Sequence, residues 1–448
     1  MLADPTHEGR SNGLTTISFE FFAFIFYFFD MSSRHKNFFL WAIGITLLFP
    51  LFFKFSGGIY RDISVVVNSH GILETLPLPI SILASFSVVF FLPNNLHRAR
   101  VGLVMIIATL AVSLTSVLLG GDATTSNQRK LLMTAQVLLP LTGLLLGQLL
   151  QDSEKIIARA FLLVLSVVVP LQLLATWFQG GLVLTHYLYA FSIYSHFQYV
   201  TLIFVCAFGY CLTSLWDQHK VWLCILSLWM SIYAVSSLSF LTIFAYFALM
   251  SSFLISKLWR YRSSAKTIGI AVILIAATAL ASYVYFKKME GQRILVEGQQ
   301  SFYYGKFKEL ADGKIPTNVQ ERFGDWQLFG NGILESEKTF LVGHAQPMPR
   351  EIRSSPHNFY IDIAYTFGVL GLIPIACLIG FTVHLCWQRR EILSASTWWL
   401  AAIVAYLVLI DSNFKVTLRQ PYPGIFAYFL WGLLLTRLQS ALPGKLNV

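Results

Sequence analysis

The chain has 448 residues, of which 56% are hydrophobic, 15% aromatic and only 12% charged, too few charges to cover a soluble protein of this length. The apolar surplus must face lipid. A net charge of +10 would suit nucleic acid in a soluble domain, but the Lys and Arg residues cluster between hydrophobic runs, where the positive-inside rule explains them, so no nucleic-acid partner is expected.

Near the start, Ile17 to Phe29 is apolar but short for a crossing and reads as an interfacial helix. Glu20 interrupts it and no small-residue cleavage site follows, so it is not read as a signal peptide; Met31, followed by Ser-Ser-Arg-His-Lys36, is an alternative natural start. Apolar runs then fall at 38–54, 77–92, 101–119, 131–150, 156–177, 198–216, 221–236, 238–256, 267–286, 369–387, 397–411 and 423–437. Each is close to the roughly 20 residues that a helix needs to cross the hydrocarbon core. The basic segments Pro93–Arg100, Lys257–Arg262 and Gln388–Arg390 all follow even-numbered runs, which makes that side cytoplasmic. This assignment requires a break near Ser236–Ser239 inside the almost continuous apolar stretch 221–256.

The expected fold is an all-α polytopic membrane protein of about twelve transmembrane helices. Residues 1–37 form an N-terminal cytoplasmic or interfacial segment and 38–286 the first nine spans. A large extracytoplasmic loop covers 287–357, the last three spans 358–437 and a cytoplasmic tail 438–448. Cys206, Cys211, Cys224, Cys377 and Cys386 all lie within apolar runs and read as core residues, without a disulfide framework or a Cys-bound metal. Gly143 and Gly147 form a small-residue pair that packs helices. Asp362 and Asp411 are expensive in lipid, so both should face the bundle or water; Asp362 is spaced to share a helix face with His357 only loosely.

Chemistry concentrates where the large loop meets the membrane, in Pro349-Arg-Glu-Ile-Arg-Ser-Ser-Pro-His-Asn-Phe-Tyr360. Pro356 favours a break before a helix, placing His357 and Asn358 at the helix entrance. Free backbone N–H groups and the positive dipole end there suit a phosphate oxygen. Histidine is also suited to proton transfer near neutral pH.

His357-Asn358, nine residues, Gly368, two residues, Gly371 resembles the signature of the O-antigen ligase and O-antigen polymerase superfamily, at the end of the long loop of a twelve-span protein. Arg322 and Trp326 resemble its upstream Arg-x-x-x-Trp segment, and Gly330-Asn-Gly332 with Leu341-Val-Gly343 its glycine-rich middle. The resemblance implies a glycosyltransferase-C-like architecture in the bacterial inner membrane. It implies transfer of a glycan from undecaprenyl diphosphate to an acceptor hydroxyl at the periplasmic face, with no cofactor, metal or nucleotide sugar. The acceptor is lipid A core for a ligase or a second lipid-linked glycan for a polymerase. The His-Asn form favours the ligase.

The residues fit such chemistry. Arginine can neutralise a diphosphate leaving group through its two-pronged donor fork; the candidates are Arg322, Arg353 and Arg350, with Asn358 beside them. His357 is the matched base, and direct displacement would invert the anomer. Family members usually carry a further Arg in an earlier external loop, but residues 178–197 contain no Arg or Lys. His186, His196 or Arg419 are its candidate replacements, and Ser237-Leu-Ser-Phe240 stands where a Ser-Arg pair is often met. A transporter of lipid-linked glycans is the rival from another class. Transporters tend to place charges near mid-membrane in two matched halves, whereas these spans are nearly charge-free and the polar residues gather in one loop.

Overall fold

A computed structural model describes residues 33–49, 52–53, 78–79, 97–120, 127–178, 197–237, 239–260, 309, 312–346, 348, 352–353 and 355–440. The interfacial helix expected at 17–29, the runs 77–92 (apart from 78–79) and 267–286, the segment with His186 and His196, Arg350 and most of the first half of the large loop lie outside the described residues.

The described chain is predominantly helical. Its elements are α1 (Ser33–Leu48), α2 (Arg100–Gly120), α3 (Asn127–Leu149), α4 (Glu154–Phe178), α5 (Phe197–Ser236), α6 (Phe240–Arg260), α7 (Thr317–Ile333), α8 (Glu337–Val342), α9 (Phe359–Phe367), α10 (Ile373–Gln388), α11 (Ala395–Ala405) and α12 (Pro421–Ser440). The last turn of α11 widens into a π-helix over Tyr406–Asp411. One two-residue antiparallel pairing, Phe52–Phe53 with Leu78–Pro79, accompanies them. Among the described residues, five helical segments are long and apolar enough to cross a membrane.

Sidedness of the helices is inverted relative to a soluble protein. In α2 the buried positions are Gly102, Met105, Thr109, Ser113, Ser116 and Gly120, a stripe at helical spacing made of small and polar residues. Val104, Ile107 and Leu118 on the other face are more than half exposed. Such a helix hides its polar stripe against neighbours and offers its apolar face to lipid. By contrast α12 is buried on every face from Pro421 to Thr436, which makes it the axis of the bundle. It packs against α3 at backbone contact. A Cβ at Gly143 would lie 2.1 Å from the Ile425 carbonyl oxygen, and one at Gly147 would lie 2.1 Å from that of Phe429. The glycine pair is therefore a helix-packing device, as its spacing suggests.

Two apolar runs, 198–216 and 221–236, join into α5, whose only non-helical residue is His219 (φ −131°, ψ 35°). A straight helix would hold Phe204 and Tyr233 roughly 43 Å apart, yet their rings stack at 5.8 Å. The chain therefore doubles back at His219, and α5 is a helical hairpin. A second reversal follows at Ser236–Ser239, since Tyr246 Oη donates to the Ser227 carbonyl at 2.6 Å and Thr201 and Thr242 lie side by side at 3.3 Å. There the Ser237 hydroxyl accepts from Ser239 N, and the Ser239 hydroxyl caps α6 at Thr242 N. The serine segment is thus a turn and cap.

These reversals sort the charges by end. At one end Arg98 meets Asp152 at 2.6 Å, Arg437 Nε bonds both Glu154 oxygens at 3.0 and 2.9 Å and Arg159 reaches Gln218. At the other end the helical loop segments α7, α8 and α9 sit over the bundle. Gly120 and Ser116 at the end of α2 receive the end of α8, with the Ser116 hydroxyl donating to the Val342 carbonyl. The chain leads from His357 through Gly368 and Gly371 into the apolar run expected at 369–387. A separate buried helix, α9, comes first. It ends at Gly368 (φ +70°, ψ −177°), and a 3-10 turn over Val369–Leu372 leads into α10.

Candidate functional site

The site lies between α7, the segment entering α9, and the end of α11. Asn358 is the N-cap of α9: its Oδ1 accepts from Tyr360 N and Ile361 N at 2.9 and 3.1 Å, satisfying donors that a helix start leaves open. Its amide donates to Asn413 Oδ1 at 3.1 Å, tying the cap to the end of α11. With its first N–H groups so occupied, the α9 N-terminus presents less open donor surface than the sequence suggests. Asn358 is a structural cap with 4% exposure.

His357 precedes this cap in a left-handed backbone conformation, φ 51°, uncommon for a residue with a Cβ and informative when it falls at a candidate site. The strain is held by neighbours. His357 N donates to Ser355 Oγ at 3.1 Å, and Trp326 Nε1 on α7 donates to the Pro356 carbonyl at 2.9 Å. The His357 side chain is exposed at its surface, while the protein packed around it still removes part of its hydration. That desolvation lowers its pKa below 6.5; the Arg322 and Arg353 cations act in the same direction and Asp325 opposes them. A neutral imidazole is therefore favoured near pH 7, the form that can accept a proton.

Trp326 also packs against Phe414 and Phe323, with ring centroids 6.1 and 5.2 Å away. One helical turn from Trp326, Arg322 Nη1 donates to the Phe414 carbonyl at 2.7 Å. Burial lowers the Arg322 pKa, while Tyr199, Asp411 and Asp325 oppose that effect; an arginine remains charged regardless.

The remaining charges near Arg322 and His357 are matched. Arg353 Nε contacts Asp325 Oδ1 at 2.5 Å, and Lys415 Nζ contacts Asp411 Oδ1 at 3.2 Å, both of that pair being buried. The Thr417 hydroxyl donates to Asp411, and Lys415 lies 5.2 Å from the Tyr199 ring centroid. With each carboxylate holding one cation, Arg322 has no ion pair of its own among the described residues. It is the surplus positive charge of the site.

Asp362 is 6% exposed and binds Arg419, which also donates from Nη2 to Gln136 Oε1 at 2.8 Å. The structure thus gives Asp362 a partner other than His357 and ties Arg419 to the junction of α3 and α9. The structure brings together His357, Arg322, Arg353 and Asn358; Arg419 belongs to this neighbouring brace, and Arg350, His186 and His196 fall outside the described residues.

Sequence reasoning passed over Asp325, the Lys415–Asp411 pair and Asn413. Lys415 could have been found by its i,i+4 spacing from Asp411 at a span end; Asp325 carries no local signal beyond its place between Arg322 and Trp326. Behind the site, His344 N and Ala345 N donate to the Tyr365 and Thr366 carbonyls at 3.0 and 2.9 Å, closing the C-terminal end of α9 with loop backbone. Gly343 (φ +75°) and Gly368 approach so closely that a Cβ on Gly343 would lie 2.4 Å from Gly368 N. Of the glycines singled out in the sequence, Gly343 and Gly368 thus seat the loop on α9, whereas a Cβ on Gly330 would meet nothing within 4 Å.

Among the described residues no group of three or more His, Cys, Asp and Glu is arranged to hold a metal ion. No protein-family model and no curated protein matches the chain.

Proposed function

We propose that this protein is a membrane glycan transferase of the O-antigen ligase type. It would move a glycan from undecaprenyl diphosphate to a hydroxyl of lipid A core at the periplasmic face of the bacterial inner membrane, across a bundle of about twelve spans. The observation that carries the reading is the surplus Arg322 cation beside a base-form His357, at the end of the bundle opposite its basic ion-paired end.

In the proposed reaction neutral His357 accepts the proton of the acceptor hydroxyl as its oxygen bonds to sugar C1. The bond from C1 to the diphosphate oxygen breaks, and the leaving diphosphate takes the electron pair. Arg322, which has no carboxylate partner among the described residues, supplies positive charge where that negative charge develops. Arg353 contributes through its charge while held by Asp325. Attack opposite the leaving group inverts the anomer.

The test uses purified full-length protein in proteoliposomes with a defined undecaprenyl-diphosphate glycan. A product formed only with lipid A core establishes a ligase, and products extended by whole repeat units without it establish a polymerase. Consumption of donor in neither arm refutes transfer, and vesicle-to-vesicle movement of intact donor would favour the transporter.

A further inference from the structure

We propose that Asp325 is the positioning residue of the site, holding the His357 segment against α7 and placing a carboxylate oxygen opposite the imidazole. This inference rests on the transferase reading for its purpose but not for its test.

Asp325 is 5% exposed, the most deeply buried charge on α7. Its Oδ1 takes Arg353 Nε at 2.5 Å, four residues before His357. On the adjacent residue, Trp326 Nε1 fixes the Pro356 carbonyl at 2.9 Å, one residue before His357. Two consecutive positions of one helix thus clamp the segment on both sides of Ser355, whose hydroxyl holds His357 N. The clamp accounts for a left-handed His357 backbone that would be unfavourable without external restraint.

The second oxygen is the informative one. Asp325 Oδ2 is buried and has no hydrogen-bond partner among the described residues, although buried carboxylate oxygens are nearly always satisfied. An imidazolium formed when His357 takes a proton would be a suitable donor for that oxygen. The acceptor is then in place before the charge appears, the arrangement by which a carboxylate orients a catalytic histidine. The charged groups bearing on His357 are Arg322 and Asp325 from α7 and Arg353 from its own segment; Asp411 and Lys415, at the end of α11, neutralise each other.

The experiment reads His357 directly, without substrate. Full-length protein in detergent is treated with diethylpyrocarbonate over a pH series, and carbethoxylation of His357 is followed by mass spectrometry of its peptide. Only the neutral ring reacts, so the midpoint of rate against pH reports its ionisation. In Asp325→Asn the midpoint falls by about one pH unit, because an opposing charge has been removed; in Asp325→Glu it stays near the wild-type value. Glycan transfer, measured in parallel, is lost in Asp325→Asn and partly restored in Asp325→Glu, with the change in kcat rather than KM. A merely structural role would change the amplitude in both variants and leave the midpoint in place. An unchanged midpoint in Asp325→Asn overturns the proposal. A shifted midpoint in a protein that transfers no glycan sustains the Asp325–His357 coupling and refutes the transferase reading alone.

Discussion

Replacing Gly368 by alanine should unseat the loop from the bundle. The residue holds φ +70° with ψ −177°, a region that only glycine enters readily, so forcing alanine into it costs about 1–3 kcal/mol. The new Cβ would also lie 2.1 Å from the Leu341 carbonyl oxygen and 2.3 Å from its carbon. These are backbone atoms that cannot rotate away, and overpacking of this kind adds about 1–3 kcal/mol. The combined penalty, roughly 2–6 kcal/mol, is a large share of the stability of an ordinary domain. Relief comes by parting α8 from α9, which breaks the bonds from His344 N and Ala345 N to the end of α9. Gly330→Ala is the internal control: it lies in the interior of α7 with nothing within 4 Å of its Cβ, and helix propensity there favours alanine by up to about 1 kcal/mol. Thermal unfolding in detergent, followed by tryptophan fluorescence, should show Gly368→Ala melting well below wild type and Gly330→Ala at or above it. Limited proteolysis should cut the loop of Gly368→Ala first. Equal melting of wild type and Gly368→Ala would refute the close-approach argument.

Gly147→Val should fail to assemble the α3–α12 contact, because its side chain meets the Phe429 carbonyl and Leu433 N; loss of the monodisperse species on size exclusion would show it. Asp362→Ala leaves Arg419 in a largely buried site without its carboxylate and should destabilise the protein by about 3–5 kcal/mol, read as a lowered midpoint in chemical denaturation. If His357 acts as a base, the rate rises with pH through its lowered pKa, so the acid limb of the pH–rate profile should lie below 6.5. Arg322→Gln removes a cation that lowers that pKa, so the limb should move toward higher pH, alongside a rate loss; movement toward lower pH would contradict the assignment.

Much of the architecture was legible because lipid imposes a strong rule: long apolar runs must be helices, and charge must gather at their ends. The reversal at Ser236–Ser239 was readable because keeping the three basic segments on one side demanded it, and serines are good caps. The helix entrance at His357 and the apolar run from 369 were both readable; that the positive φ of Gly368 makes them separate elements was not. His357, Arg322 and Asn358 were found by motif, yet the motif did not distinguish their tasks. Asn358 caps a helix, and Arg353 is held by a carboxylate. Which arginine remains unpaired depends on contacts between residues far apart in sequence, such as Arg322 with Phe414, and no local pattern encodes these. Arg419 illustrates the same limit: its sequence position invited a phosphate role, while the fold gives it Asp362 and Gln136.

The central claim is that His357 and the surplus charge of Arg322 together transfer a glycan from a lipid diphosphate. Its most direct test is single-turnover transfer by wild type, His357→Ala and Arg322→Ala in the same proteoliposomes, with unfolding midpoints measured alongside. Both variants should remain folded, His357→Ala within about 0.5 kcal/mol of wild type and Arg322→Ala lower by about 1 kcal/mol for its lost bond to the Phe414 carbonyl, and both should lose transfer by at least about 100-fold. Transfer at the wild-type rate in a folded His357→Ala protein would contradict it.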